Sequence, residues 1–318
     1  MLFINGKAIE TAAEPLEMIK TVENAFVAFG SGEYVMPARF GFENDGKTVL
    51  FMPCFTKEVF GAKTLTIVPE NRLKGLPSID GLVILNHGET GEPLAILDAK
   101  AITAWRTGAT GALGAKYLSD KNVGSLGIVG CGVQGFYQAV CICAIRNIKR
   151  ISLYDIGDTS GFANRLQAHC PDAVIERCGS TAELLEKSSI VVTTTFSEDP
   201  VLPDDAALLR GKCYIAVGSY KPHVRELPDS VFTLAKDVYV DLMHACEESG
   251  DLITPMKSGL LKTGQIKLLH SLIASPVTVA PGETTIFKTV GMALNDIFAA
   301  RYFYNKALEK GYGINLEM

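Results

Sequence analysis

Ser125-Leu-Gly-Ile-Val129, then Gly130-Cys-Gly132-Val133-Gln134-Gly135, then Arg150-Ile-Ser-Leu-Tyr154-Asp155 are the segments that decide the fold of this chain. The first reads as a short buried strand, and the glycine turn follows at once. Phe136 to Asn147 has a helical pattern, and a second apolar strand ends in an acid 20 residues past Gly135. Strand, G-x-G-x-x-G, helix, strand and acid, in that order, form the dinucleotide-binding fingerprint of a doubly wound sheet. Gly130 permits the tight turn, Gly132 lets the backbone approach a pyrophosphate, and Gly135 lets the helix lie close to the sheet. Val133 and Gln134 complete the phosphate-binding segment, where free N–H groups and the positive end of the helix dipole favour an anion. Asp155 is placed to accept hydrogen bonds from the adenosine ribose. Asp155-Ile-Gly-Asp158 has two acids and no arginine, which would repel a 2′-phosphate, so the expected cofactor is NAD, with NADH preferred over NADPH.

Downstream, strands are expected near 125–130, 150–154, 173–176, 190–194, 213–217 and 238–240, alternating with helices. That is a mostly parallel, doubly wound Rossmann sheet. Thr195, Gly218 and Ser219 fall at C-terminal strand ends, where a cofactor crosses such a sheet. Upstream the pattern differs. Residues 14–30 are helical, with Leu16, Ile19, Val22, Ala25, Phe26 and Phe29 on one face. Val49–Met52 and Gly61–Val68 read as strands, and Gly81–Leu85 with Pro93–Leu97 as a hairpin turned by His87–Gly91. Asp98–Leu118 is one long helix with Asp98 as its N-cap. Several strands before the first βαβ unit predict a separate α+β domain with a largely antiparallel sheet. Thr285–Glu309 reads as helix and is expected to return to that first domain. The fold class is therefore α/β, with a Rossmann domain over 119–284 and an α+β domain formed by 1–118 with 285–318.

At 318 residues the chain is long enough for two cores. A net charge of −5 gives no general attraction to nucleic acid or to anionic membrane. No apolar run reaches the roughly 20 residues of a membrane span, and Met1-Leu-Phe-Ile-Asn5 lacks a signal-peptide pattern. A cytoplasmic protein is expected, with a small molecule rather than nucleic acid or membrane as its partner. Eight cysteines are scattered, and Cys141-Ile-Cys143 is their close pair in sequence. On a helix, positions i and i+2 point in different directions. The five histidines are dispersed too, so no metal site is expected and the thiols read as free.

Candidates for chemistry lie in the first domain. Lys63 sits in an otherwise apolar or threonine-rich strand, where a lone lysine is ordinarily solvated. Arg39 follows Pro37 in a loop before a strand. Arg106 lies mid-helix in Trp105-Arg-Thr-Gly-Ala-Thr-Gly-Ala112, where small residues allow close packing around a buried guanidinium. Buried arginines are often bidentate carboxylate binders.

Taken together, Lys63 with Pro69-Glu-Asn71, Arg106-Thr-Gly-Ala-Thr-Gly-Ala112, the glycine turn, and Ile286-Phe-Lys-Thr-Val-Gly-Met-Ala293 with Asn295-Asp296 resemble the ornithine cyclodeaminase/μ-crystallin family. The four blocks occur in the family's order and span nearly the whole chain. The resemblance implies a nicotinamide cofactor, an α-imino or α-amino acid substrate, and a homodimer whose N-terminal sheets pair. It makes the first domain the substrate-binding and dimerisation domain. It places Arg39 and Arg106 on the substrate carboxylate, Lys63 beside the reacting carbon, and Ser78 where cyclodeaminases carry a substrate-holding threonine.

Two departures matter. Where cyclodeaminases carry an acid before their Met-Pro pair, this chain has Leu50, and where they carry an aspartate after the fifth Rossmann strand it has Tyr220. Neither can hold or deprotonate a distal amine at neutral pH. Reduction of a preformed imine needs only a carboxylate clamp, a proton donor and a hydride. The reading is thus an NAD(P)H-dependent reductase of a cyclic α-imino acid, with Lys63 and Tyr220 at the reacting centre. Lys63 is expected to titrate low because of burial and the two arginines. The alternatives are ornithine cyclodeamination with Glu43, Glu70 or Glu226 as substitute acid, an alanine- or opine-type amino-acid dehydrogenase, and a ligand-binding μ-crystallin-like protein.

Overall fold

The computed structural model describes residues 1–317, the side chain of Arg72 excepted, and the chain divides into two compact units. One comprises Met1–Arg106 and the chain from Met292 onward, and the other is Thr107–Gly291. The sequence expectation had put these breaks at 118/119 and 284/285.

In the first unit the strands are β1 (Leu2–Ile4), β2 (Phe40–Asn44), β3 (Lys47–Phe55), β4 (Val59–Ile67), β5 (Ile79–His87) and β6 (Pro93–Asp98). With the short strand Ile314–Asn315 they form one sheet, in the order 314–315, β1, β6, β5, β4, β3, β2. All neighbours are antiparallel except β1 and β6. Alternation sets the two faces. Met52, Lys63 and Val83 are cross-strand partners and all three are buried. The helices Pro15–Ser31 and Ala293–Lys310 pack on each other, and the second of them also packs on β3, β4 and β5. Pro15 starts the first helix with φ already set. Gly32, at φ 74°, ends it in the left-handed conformation that a side chain would oppose. Met18, Ile19, Val22, Ala25 and Phe26 form its buried stripe.

The second unit is built on eight parallel strands: β7 (Ser125–Val129), β8 (Arg150–Tyr154), β9 (Val174–Arg177), β10 (Ile190–Thr193), β11 (Cys213–Ala216), β12 (Ala235–Val240), β13 (Ile266–Leu268) and β14 (Thr284–Lys288). Their order is β13, β12, β14, β11, β10, β7, β8, β9, which reverses direction at β7 and β10 as a doubly wound sheet does. One expectation is corrected here. Residues 284–288 are not the start of the last helix but a strand buried between β11 and β12, and the helix begins at Ala293. Thr-Thr-Ile-Phe-Lys is β-branched and aromatic and is buried at every position, a run that periodicity alone does not separate from a buried helix. β13 was missed for its shortness, and β1 and β2 were missed as well.

The helix Ala99–Leu118 carries the chain from one unit into the next. Asp98 Oδ1 accepts the N–H groups of Lys100 and Ala101 at 2.9 and 3.0 Å, as an N-cap should. Its glycines serve a purpose the sequence did not specify. A Cβ on Gly108 would lie 2.5 Å from the Tyr137 carbonyl oxygen, and Gly111 and Gly114 face Gln138 and Phe287 as tightly. The small residues admit the helix Val133–Ile145 and β14, not only a guanidinium. Gly108→Ala should therefore push two backbones apart at a cost of about 1–3 kcal/mol. Thermal or urea unfolding will read it, and an unchanged midpoint would mean that this approach carries no strain.

Candidate functional site

Lys63 is 1% exposed, the burial that its expected low titration required and unlike a lone strand lysine in general. Its ammonium lies 2.7 Å from Asp296 Oδ2 and 3.4 Å from Thr103 Oγ1. Arg106, also buried, donates its Nε to Asp296 Oδ1 at 2.9 Å. One fully buried carboxylate thus holds two cations. Burial pushes the Lys63 ammonium down to about 8; Asp296 pulls it back up, while Arg106 and Arg39 push it further down. The sequence reading had burial and the arginines but not the opposing carboxylate. Arg39, immediately before β2, is close enough to act on Lys63 electrostatically. Ser78 precedes β5, and its Oγ is buried with no hydrogen-bond partner among the described residues.

Asp296 is the residue that sequence reasoning passed over. In the sequence it stands in the Asn295-Asp296 motif with no task that local spacing assigns. A signal was present, because a lysine and two arginines expected in one place require a buried anion to balance them.

In the second unit Gly130 has φ 96°, open to glycine and strained for other residues. Gly132 is the N-cap of the helix Val133–Ile145; no side chain caps that end, and nothing stands within 4 Å of a Cβ built on Gly132. Gly135 is buried against the Gly130 carbonyl, the close approach its position required. Gln134 Oε1 is buried with no hydrogen-bond partner among the described residues. Asp155 Oδ2 accepts the Cys131 N–H at 2.7 Å and Oδ1 the Gly157 N–H at 2.8 Å, which fixes the carboxylate beside the turn. These residues fit a dinucleotide: an uncapped helix start for the pyrophosphate, room over Gly132, and an oriented carboxylate. Arg177, at the end of β9, acts on both Asp158 and Cys131, a cation that no local spacing could have placed there.

Thr195, Gly218 and Ser219 are brought together by a residue named in the sequence only as a substitute acid. Glu226 is fully buried. Its Oε1 accepts the N–H and Oγ1 of Thr195 at 2.6 and 2.7 Å, and its Oε2 accepts the N–H groups of Gly218 and Ser219 at 2.7 and 3.3 Å. Asp251 in turn accepts the N–H groups of Glu226 and Leu227, with Lys288 3.5 Å from its other oxygen. Burial pushes the Glu226 carboxyl up, against the pull of Lys288 and these donors. Tyr220 follows directly and packs at 5.8 Å on Phe196. With four donors spent on it, Glu226 is a tie between the loops after β10 and β11 and not a receptor for a substrate amine. Among the described residues no three potential ligands form a metal cluster.

A doubly wound sheet with an open glycine turn, and a separate unit with a buried lysine–aspartate–arginine cluster, define a two-unit α/β protein of the dinucleotide-binding class. The chain belongs to the ornithine cyclodeaminase/mu-crystallin family, whose model matches residues 2–311. It is 33% identical over 332 residues to a Δ(1)-pyrroline-2-carboxylate reductase of Bacillus cereus, with 100% of both chains covered. The solved Δ(1)-pyrroline-2-carboxylate reductase of Thermococcus litoralis, in complex with NADH and L-proline, superposes with a TM-score of 0.93 at 33% identity, over 99% of this chain and 100% of that one. An archaeal alanine dehydrogenase dimer with bound NAD gives 0.90 at 27% identity, over 100% and 99%.

The carboxylate between Lys63 and Arg106 makes a specific demand. In Asp296→Asn the upward pull on Lys63 is lost, so its ammonium should titrate roughly one unit or more lower than in the parent. Stranding two buried cations should also cost about 3–5 kcal/mol of stability. Nitrogen NMR of labelled lysine and thermal unfolding will check both, and an unmoved Lys63 titration would remove Asp296 from its control.

Proposed function

We propose that this protein is an NADH-dependent reductase of a cyclic α-imino acid, Δ1-pyrroline-2-carboxylate or Δ1-piperideine-2-carboxylate, forming L-proline or L-pipecolate. The observation that carries the reading is Lys63: a buried ammonium held down to about 8, beside an arginine and fixed by one carboxylate. A donor of that strength is mostly protonated at neutral pH and still releases its proton readily. Arg39 and Arg106 would hold the substrate carboxylate and orient the ring, with Ser78 Oγ as a further hydrogen-bonding group. Lys63 would give its proton to the ring nitrogen as the C=N bond is reduced. Tyr220 would donate a hydrogen bond to the substrate or shape its pocket. A nicotinamide bound at the glycine turn supplies the hydride. Gly130, Gly132, Val133, Gln134 and Gly135 would bind its pyrophosphate, Asp155 its ribose, and Thr195, Gly218 and Ser219 the segment that crosses the sheet. Asp155 and Asp158 favour NADH, with Arg177 as the opposing charge. Full-length identity to the B. cereus reductase supports this choice of substrate over the family's other reactions.

Cyclodeamination would need an acid that the family positions and Glu226 do not supply here. Leu50 and Tyr220 stand at the acidic positions, and Glu226 is spent on backbone donors. NADH absorbance should fall rapidly with either imine, more slowly with NADPH in place of NADH, and L-ornithine with NAD should release no ammonia. Ammonia from ornithine without net NADH change would overturn the reading in favour of cyclodeamination.

A homodimer is part of the same proposal. The face of the first sheet opposite Lys63 is apolar and open, with Phe40, Phe42, Val49, Phe55, Leu82 and Ile84 between 36% and 70% exposed. Cross-strand pairing puts Phe40 with Phe51, Phe42 with Val49, Phe51 with Thr64 and Thr64 with Leu82 on that one side. Apolar patches of this kind mark interfaces, and an antiparallel sheet face is readily self-complementary about a two-fold. Sedimentation should give a dimer for the parent and a monomer for the Leu82→Lys, Ile84→Lys double variant. A parent that sediments as a monomer would remove this part.

A further inference from the structure

The two cysteines closest in sequence are not the pair that meets. Cys141 is fully buried and Cys143 partly exposed, two positions apart on the helix Val133–Ile145 and turned away from each other. Cys170 lies just past the helix Ser160–Gln167, its N–H bonded to the Leu166 carbonyl at 3.0 Å. Cys143 and Cys170 line one cavity of about 240 Å³ with Asn147, His169, Pro171 and Asp172, and the two thiols are close enough to shift each other's titration. That volume admits a molecule of the size of water or peroxide, since water occupies about 30 Å³.

We propose that Cys143 and Cys170 are a dithiol modification site, at which hydrogen peroxide converts the two thiols into a reversible intramolecular disulfide. The inference is independent of the reductase reading. The Cys170 thiolate attacks one peroxide oxygen, the O–O bond breaks, and the departing hydroxide takes up a proton to leave as water. The Cys143 sulfur then attacks the resulting sulfenic sulfur. The S–S bond forms, the S–O bond breaks, and the second oxygen leaves as water with the proton Cys143 gives up. Two thiols and one peroxide become one disulfide and two waters. The thiolate, not the thiol, is the nucleophile in such steps. The interaction of the two thiols favours that assignment of roles, since Cys143 holds the Cys170 thiol down while Cys170 and burial push the Cys143 thiol up. Burial pushes the thiols of Cys54, Cys131 and Cys213 up to about 12, which leaves them slow competitors.

The bond would tie the helix that carries the glycine turn to the segment after Ser160–Gln167. Those elements already touch through Arg165, whose guanidinium lies 3.5 Å over the Phe136 ring, and through His169 at the edge of that ring.

The test uses the wild-type chain treated with hydrogen peroxide. Titratable thiols in the unfolded product should fall from eight to six and return to eight with dithiothreitol. Tryptic peptides Asn122–Arg146 and Leu166–Arg177 should appear joined, and fragmentation between Cys141 and Cys143 should place the bond on Cys143. Cys143→Ser and Cys170→Ser, treated alike, should each lose the joined peptide. A bond through Cys131 or Cys141, eight thiols surviving, or Cys170 passing to sulfinic acid with no joined peptide would each overturn the assignment.

Discussion

The first unit is arranged around the Asp296 carboxylate held between the Lys63 ammonium and the Arg106 guanidinium. Three charges removed from water are tolerable only when each has its partner, because an unpaired one costs several kcal/mol. That requirement ties together elements far apart in sequence: Lys63 on β4, Arg106 on the helix Ala99–Leu118 and Asp296 in the first turn of the helix Ala293–Lys310. The last helix must return to the first sheet for the cluster to exist. Two cations share one anion, so the balance leaves room for a further carboxylate. In the proposed reaction a substrate carboxylate would meet that excess of positive charge, and the Lys63 ammonium, held down to about 8, would act as the acid.

The second unit solves a similar problem with Glu226. Loops at the C-terminal ends of β10 and β11 expose backbone N–H groups that need acceptors when buried. A single carboxylate collects three of them and the Thr195 hydroxyl. Asp251 and Lys288 repeat the device one layer deeper. Asp241 does the same after β14, accepting from Thr289, Val290 and Gly291. Buried acids in this unit therefore shape loops, which is why an acid picked out of the sequence as a stand-in catalytic group proved to be a brace.

Much of the fold was legible because its signals are local. The glycine turn, the strand ending in Asp155, the Asp98 cap and the β5–β6 hairpin each depend on residues within a few positions of one another. The hydrophobic period carries the rest of those elements. Thr284–Lys288 was misread because a run buried on every side has no period to read. β1 and β13 are three residues each, too short for a pattern. Lys63, Arg39 and Arg106 stood out as candidates from the residues, and the family resemblance gave them tasks and added Ser78; composition alone would have left Lys63 in solvent.

The sequence by itself determined the class of each unit and the glycine turn, since backbone propensity, glycine freedom and periodicity act over a few residues. Only the tertiary structure decided which charges meet. It put Asp296 on Lys63, committed Glu226 to Thr195, Gly218 and Ser219, brought Arg177 toward Asp158, and set Cys143 on one cavity with Cys170 rather than with Cys141. Coulomb and hydrogen-bond energies depend on distance in space. The chain fixes those distances only once strands pair in register and helices return across them.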